Sequence, residues 1–374
     1  MKLTIQKTDL HRGLSRLQAV VEKRNSMPIL ANVLLSASGR GEQGRLELVA
    51  TDLEVGVRDV HTVLVQEAGS TTVSARKLFD IVRELPDDAI DLQATTDARL
   101  QIRSGRIHFS LAGTAAEEYP SLPVFSADRL VSLQAAILST MIERTMYAAS
   151  VDETRYNLNG VYFEVLRESG KIRMVATDGH RLALVDRAIG TEVEGLVGDV
   201  IIPRKALAEL RRLVDEEDAD QIELGFEGNS GLARKSSVTL LMRLIEGKFP
   251  NYQQVIPTHL DRQVTLPAEP LIHAVRRMAL LSVERSHAIK LELSKGVLRL
   301  SSSNPDIGQA EEELDADYAG EDLAIAFNAK YLQESLAAFA AKEVRLSLHD
   351  ASSPAILQPT DDADSLAVVM PMRL

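Results

Sequence analysis

One internal repeat constrains this chain more than any other feature. Val49-Ala50-Thr51-Asp52 recurs as Val175-Ala176-Thr177-Asp178, 126 residues on, and the same step again reaches Ser302-Ser303-Asn304. Each copy ends an apolar, strand-like run: Leu46–Ala50, Ile172–Ala176 and Leu298–Ser301. Three units of that length nearly fill the 374 residues. A period this long is that of a triplicated domain, because solenoid repeats run only about 20–50 residues.

The flanks of the markers repeat as well. Upstream of each lies a segment of helical period: Leu10, Leu14, Leu17 and Val21 in the first unit, Leu138, Met141, Ile142 and Thr145 in the second, and Leu271, Val275 and Met278 in the third. Spacings of three and four place such residues on one stripe. Downstream of each marker comes a β-rich run and a second helical stripe. These stripes are Leu78, Ile81, Val82 and Leu85, then Leu207, Leu210 and Val214, then Leu332, Leu336 and Phe339. Short alternating runs such as Gln101-Ile102-Arg103 and His108-Phe109-Ser110-Leu111 read as strands. Each unit therefore reads as two helices on a β-sheet, an α+β arrangement. Pro-containing joints are expected near Tyr119–Asp128 and Ile256–Pro267, and Gly39–Gly44 and Gly228–Gly231 read as hairpin tips.

Composition removes several function classes. There is no Cys, so disulfides and thiolate metal sites are excluded. No run approaches the roughly 20 apolar residues that span a bilayer, and the start lacks a signal-peptide stretch, so a cytoplasmic location is expected. The net charge of −12 argues at first against nucleic acid, whose non-specific binding rests on phosphate neutralisation. A sum does not fix a distribution, though. The second helix of each unit opens with basic residues: Ser74-Ala75-Arg76-Lys77, Pro203-Arg204-Lys205 and Asn328-Ala329-Lys330. Ser74 and Asn328 suit N-caps and Pro203 suits a helix entrance. Cations there oppose the helix dipole, at a cost of about 0.3–1 kcal/mol each. The same helix end attracts phosphate. The recurrence fits a phosphate-facing surface, while ordinary solvated side chains are the plainer reading.

Motifs that look catalytic have simpler explanations. Thr177-Asp178-Gly179-His180-Arg181 sets an Asp and a His beside a Gly, but Asp-Gly between the runs Ile172–Ala176 and Leu182–Val185 is a hairpin turn. Gly228-Asn229-Ser230-Gly231 is not a nucleophile elbow, and no phosphate-cradling Gly loop or dinucleotide fingerprint occurs. The His residues lack zinc-site spacing. Glu311-Glu312-Glu313 reads as a solvated or ion-paired strand before a metal site. No active site and no cofactor are expected. The chain ends unusually, in Val368-Val369-Met370-Pro371-Met372-Arg373-Leu374. Val368 and Met370 fit a last core strand. Pro371 discourages further pairing, and the adaptable Met372 and Leu374 are expected at an exposed contact surface.

Thr177–Leu182 and the terminal Val368–Leu374, with Met27-Pro28-Ile29-Leu30, Ser104-Gly105-Arg106, Phe109-Ser110-Leu111 and Phe249-Pro250-Asn251-Tyr252, resemble the signature segments of the bacterial β clamps, the β subunits of DNA polymerase III. The resemblance covers the whole chain in one register. It implies the DNA clamp (processivity) fold: three similar domains over 1–124, 125–256 and 257–374, and a head-to-tail dimeric ring around sequence-independent double-stranded DNA. The second domain would hold most of a partner-peptide pocket that the tail completes. The function implied is non-catalytic. The clamp would tether the replicative polymerase α subunit, clamp loader, translesion polymerases, and mismatch-repair and ligase-type factors by short linear peptides. It would be cytoplasmic and nucleoid-associated during replication, with no membrane partner.

The resemblance also implies residue roles. Arg24, Arg76, Arg83, Arg173, Arg204 and Lys205 would meet phosphates, with Tyr156 beside them. Leu158, Thr177, Gly179, His180, Arg181, Leu182, Pro250, Val255, Val369, Met370, Pro371 and Met372 would form the pocket, with Asn328 and Tyr331 at its rim. Phe109 to Leu111 would pair across the dimer junction, with Leu280 and Leu281 packed there and Glu311–Glu313 in ion pairs across it. Asn157, Asp152 and Gln254 depart from the Tyr, Gln and Arg common at those positions. An Asp178/His180 hydrolase and a scaffold without a DNA role are the rival readings.

Overall fold

The computed structural model describes the chain except residues 22–26, 124, 126–128, 284–286 and 374. Arg24 and Leu374 therefore lie outside the described residues. The chain forms two compact units.

The first unit comprises Met1–Ala136, Gly195–Val197 and Lys205–Leu244. It is built on a twelve-stranded antiparallel sheet that continues from the first repeat into strands of the second. The join is the pairing of Val55–Glu67 with Val238–Arg243, in the register Val57↔Leu240 and Val55↔Met242. Helices α1 (Lys7–Leu17) and α2 (Ala75–Glu84) pack on each other and on the sheet. α1 buries Leu10, Leu14 and Leu17 as its periodicity requires. Val21 lies beyond the helix end, and Val20 is the buried residue there. Gly13 lets α1 approach the sheet: a Cβ would lie 2.6 Å from His61 Nε2 and 2.7 Å from Leu48 Cδ1. Ser74 caps α2 by accepting from the Lys77 N–H at 3.4 Å.

The second unit comprises Ile137–Glu194, Gly198–Arg204 and Ile245–Leu374. Its eight-stranded sheet joins the second repeat to the third where Arg181–Ala188 pairs with Ser365–Val369. A four-stranded sheet carries Gly308–Asp315 at one edge. The remaining helices are α3 (Ala135–Thr145), α4 (Arg204–Val214), α5 (Ala268–Ala279) and α6 (Ala329–Phe339). α3 and α4 each run from one unit into the other, so the middle repeat is shared between them. Leu271, Val275, Met278, Leu332, Leu336 and Phe339 meet in one aliphatic core with both sheets. Asn328 caps α6, accepting from the Lys330 and Tyr331 N–H groups. No described helix is long and apolar enough to cross a membrane.

The acidic strand is ion-paired within the chain. Arg299 reaches Glu313 and Glu311, and Arg277 reaches Glu312 with Nε 2.7 Å from Oε2. Strand alternation aims these carboxylates at neighbouring arginines of the same chain. No cluster fit for a metal occurs among the described residues.

Candidate functional site

Four segments of the second unit converge on one end of its sheet. The first is the hairpin between Lys171–Thr177 and Arg181–Ala188. Thr177 Oγ1 donates to the Arg181 carbonyl at 2.6 Å and accepts from the Gly179 N–H at 3.1 Å. Asp178 Oδ1 accepts from the His180 and Arg181 N–H groups at 2.9 and 3.1 Å. Gly179 has φ +87°, a left-handed conformation that glycine adopts without penalty. The second segment is the tail. Val368 pairs with Leu182 and Val369 with Arg181, and the Met370 N–H donates to the His180 carbonyl at 2.9 Å. The Met372 N–H then donates to the Ala326 carbonyl at 2.7 Å, which pins the chain end.

The third segment, 248–256, covers the outer face of the sheet. Tyr252, Phe249 and Ile256 pack on Val175, Leu182, Leu184 and Val368, and Tyr162 stacks on Phe249 at 5.0 Å. The fourth, 150–158, is tied to both neighbours. Arg155 Nη1 donates to the Asp178 carbonyl at 2.8 Å, and Asn157 Nδ2 donates to the Lys248 carbonyl at 3.0 Å. Around this seam Pro250, Val255, His180 and Met370 are exposed, while Leu158, Pro371 and Met372 are half-buried. Val255 is 45% and Met370 37% exposed. The result is an exposed, largely apolar seam between the hairpin, the tail and the covering segment.

Two of the expected pocket residues face elsewhere. Val369 is fully buried in the main core, and it is Val368 that shares the outer face with Leu182. Strand alternation requires this, because Val369 pairs with Arg181, which also points inward. Arg181 is 8% exposed. Its Nε donates to Asp178 Oδ2 at 3.1 Å and its Nη2 to the Tyr147 carbonyl at 2.7 Å, and Nη1 meets Glu334. The guanidinium lies 4.7 Å from the Tyr331 ring and 5.3 Å from the Tyr147 ring. Burial pushes the Tyr147 hydroxyl up to about 12, against the hydrogen bond to Ser335. Arg181 thus anchors the hairpin from behind. The aromatic cover from Tyr162, Phe249 and Tyr252 and the part played by Arg155 are absent from the sequence reading. The Phe-Pro-Asn-Tyr motif was a signal for the former.

This arrangement offers no catalysis. The Asp178 carboxylate is occupied by two backbone N–H groups and Arg181, and His180 stacks towards Tyr331 at 6.3 Å.

The basic residues divide into two classes. Arg76 and Arg83 on α2 are exposed, Arg83 beside Asp80 and Glu84, and Tyr156 is 58% exposed. Arg173 is committed to Asp186, at 2.6 and 2.7 Å, and to the Tyr252 hydroxyl at 3.0 Å. The hydrogen bond to Asp186 raises its pKa further, against burial. Arg204 turns inward and donates to the Ala149 and Met146 carbonyls at 2.6 and 3.3 Å. Burial and then Arg181 lower its pKa. Lys205 is ion-paired to the buried Asp52. Arg173 and Arg204 are thus both held by acceptors within the chain, whereas Arg76 and Arg83 project from the surface.

The exposed strand Ile107–Thr114 pairs with Arg99–Ser104, placing Phe109 opposite Ile102 and Leu111 opposite Leu100. On its other side it is paired only at Gly113 and Thr114 among the described residues. Phe109 is 41% exposed, Leu111 and Leu281 are half-buried, and Leu280 at the end of α5 is 79% exposed.

Family models of the DNA polymerase III beta subunit match the chain three times: the N-terminal domain over 1–123, the central domain over 132–251 and the C-terminal domain over 253–373. The beta sliding clamp of Pseudomonas putida is 39% identical and that of Escherichia coli 35% identical, each over 100% of both chains. A crystal structure of the Pseudomonas aeruginosa sliding clamp bound to griselimycin superposes with a TM-score of 0.92 at 36% identity, covering 100% of both chains. The chain belongs to the DNA polymerase III beta subunit family, the β sliding clamps, with its three-domain clamp fold, and serves as a non-catalytic processivity factor of DNA replication.

Proposed function

We propose that two copies of this chain close head-to-tail around duplex DNA and carry partner proteins through the groove of the second unit. The clamp domains would be 1–124, 125–256 and 257–374. The edge strand Ile107–Thr114 of one copy would pair with Gly308–Asp315 of the other, with Phe109, Leu111, Leu280 and Leu281 packed at the joint. Two incomplete strand edges and the exposure of Phe109 and Leu280 support this, since unpaired edges invite pairing. The DNA face would use Arg24, Arg76 and Arg83, with Tyr156 and the partly exposed Lys205. Arg173 and Arg204 would position the neighbouring loops. The groove would take short linear peptides from the polymerase α subunit, clamp loader, translesion polymerases, and mismatch-repair and ligase-type factors. Its site would be the cytoplasm, at the nucleoid during replication.

The observation that carries the reading is the tail. A chain end that could fray is instead hydrogen-bonded through Met370 and Met372 beside an apolar seam. Burying two or three apolar peptide side chains contributes about 1.5–3 kcal/mol each. After ordering costs this gives affinities near micromolar, about −8 kcal/mol. Deletion of residues 370–374 tests it by fluorescence polarisation with a labelled peptide from a replicative polymerase α subunit. Binding should be lost while the dimer persists. Full affinity in the truncated protein rejects the groove.

A further inference from the structure

The hairpin that builds the groove occurs a second time, in the first unit, with the same hydrogen bonds. Thr51 Oγ1 donates to the Val55 carbonyl at 2.9 Å and accepts from the Leu53 N–H at 3.0 Å. Asp52 Oδ1 accepts from the Glu54 and Val55 N–H groups at 2.9 and 2.7 Å. The second carboxylate oxygen takes Lys205, as that of Asp178 takes Arg181. Where the tail lies beside the first hairpin, the strand Val238–Arg243 lies beside this one. Val55 pairs with Met242, and the Arg243 N–H donates to the Glu54 carbonyl at 2.8 Å, matching Met370 and His180. The covering segment is repeated too. Tyr119-Pro120-Ser121-Leu122 stands in for Phe249-Pro250-Asn251-Tyr252, and the Thr51 N–H holds it by donating to the Tyr119 hydroxyl at 3.2 Å.

Between these parts lies a cavity of about 320 Å³, lined by Leu53, Val55, Leu122, Leu241, Met242 and Arg243 among others. That volume is at the low end of the roughly 300–1,000 Å³ typical of ligand pockets. Two details set it apart from a leftover of duplication. Leu53 stands where the first hairpin has Gly179, and it holds φ +78° while 50% exposed. A bulky side chain in that conformation is strained, and such strain collects at functional positions. Gly56 stands where the first hairpin has Leu182. A Cβ there would lie 2.7 Å from Leu122 Cδ2, so the covering segment settles deeper. At the rim Arg243 is exposed and has no ion pair among the described residues.

We infer that this cavity is a second docking site for a short extended peptide, whose apolar side chain enters against Leu53, Leu122 and Leu241 and whose acidic neighbour pairs with Arg243. A carboxylate is favoured because Arg243 occupies the rim position that Met370 holds in the first groove, giving the second site a cation where the first is apolar. The two sites would then read different peptides on the same chain.

The test uses the full-length protein labelled with ¹³C at the leucine and methionine methyls, so that Leu241 reports the second site and Met370 the first. The probes are acetyl-Leu-Leu-Asp-amide and acetyl-Leu-Leu-Asn-amide, unlabelled. Saturable shifts at Leu241 are expected, with the Asp peptide binding at least threefold tighter. Arg243→Gln should abolish that preference. Leu53→Gly, which relieves the strained φ and so keeps the fold, should weaken binding at least fivefold while leaving the Met370 response unchanged. Silent Leu241 methyls at millimolar peptide overturn the inference, whether or not Met370 responds. So does a Leu241 response indifferent to Leu53→Gly and Arg243→Gln. A silent Met370 beside a responsive Leu241 rejects the first groove and leaves the second site standing.

Discussion

The Arg181 anchor gives a sharp quantitative test. Arg181→Met keeps the aliphatic stem between Tyr147 and Tyr331 but removes every donor. In the native protein the side chain is 8% exposed, Asp178 16% and Glu334 35%. Removing one partner of a buried pair costs about 3–5 kcal/mol, chiefly because the other charge is stranded. Here the penalty is reduced. Glu334 is a third exposed and screened by solvent, and Asp178 keeps its two backbone N–H donors. The orphaned Tyr147 carbonyl adds about 1 kcal/mol. The expected loss is therefore about 3 kcal/mol, roughly a hundredfold in the opening equilibrium. Native-state hydrogen exchange at the Leu182–Val185 amides is the suitable assay, because the two units need not unfold together. Adding Glu334→Gln should restore part of the loss, since a neutral amide tolerates the missing guanidinium. A coupling of about 1–2 kcal/mol is expected for contacting groups. A single-variant loss below 1 kcal/mol, or strict additivity in the double variant, would refute the anchoring role.

Three further outcomes follow from the structure. Phe109→Asp should convert the dimer to monomer in sedimentation at micromolar concentration, and an intact dimer would remove the strand from the proposed joint. Arg76→Glu with Arg83→Glu should flatten the slope of log affinity against log salt for duplex DNA by about two, as expected for two lost phosphate contacts; an unchanged slope would take α2 off the DNA face. Asp59 gives a pH signature. Burial raises its pKa, but hydrogen bonds and charge from His61 and Arg16 and a hydrogen bond from Ser237 outweigh it and hold the group well below 3.8. A depressed carboxylate contributes stability that is complete above the unfolded value and is lost as pH falls through the folded one. The first unit should therefore weaken steeply below about pH 4, and Asp59→Asn should flatten that fall in urea titrations; equal slopes would contradict the assignment.

Much of this was legible in the sequence because repetition and periodicity are local signals. The 126-residue step located three hairpins, and helical spacing identified the buried faces of α1, α3 and α5. The caps Ser74 and Asn328 and the turn at Asp178-Gly179 were readable from residue type alone. What escaped depended on pairings distant in the chain. Val369 was taken for a groove residue because nothing local sets the phase of the last strand; its register against Arg181 does. Arg173 and Arg204 look like free cations until Asp186, Tyr252 and the Met146 and Ala149 carbonyls are brought beside them. The strain at Leu53 was invisible because Thr-Asp-Leu-Glu lacks the glycine that marks its counterpart.

The most direct measurement concerns topology. Protein loaded on nicked circular duplex should stay bound for many minutes in high salt, because closure rather than contact holds it, and should be released when the circle is linearised. Equal loss from circular and linear duplex, tracking salt alone, would contradict encirclement and leave only a peptide-binding scaffold.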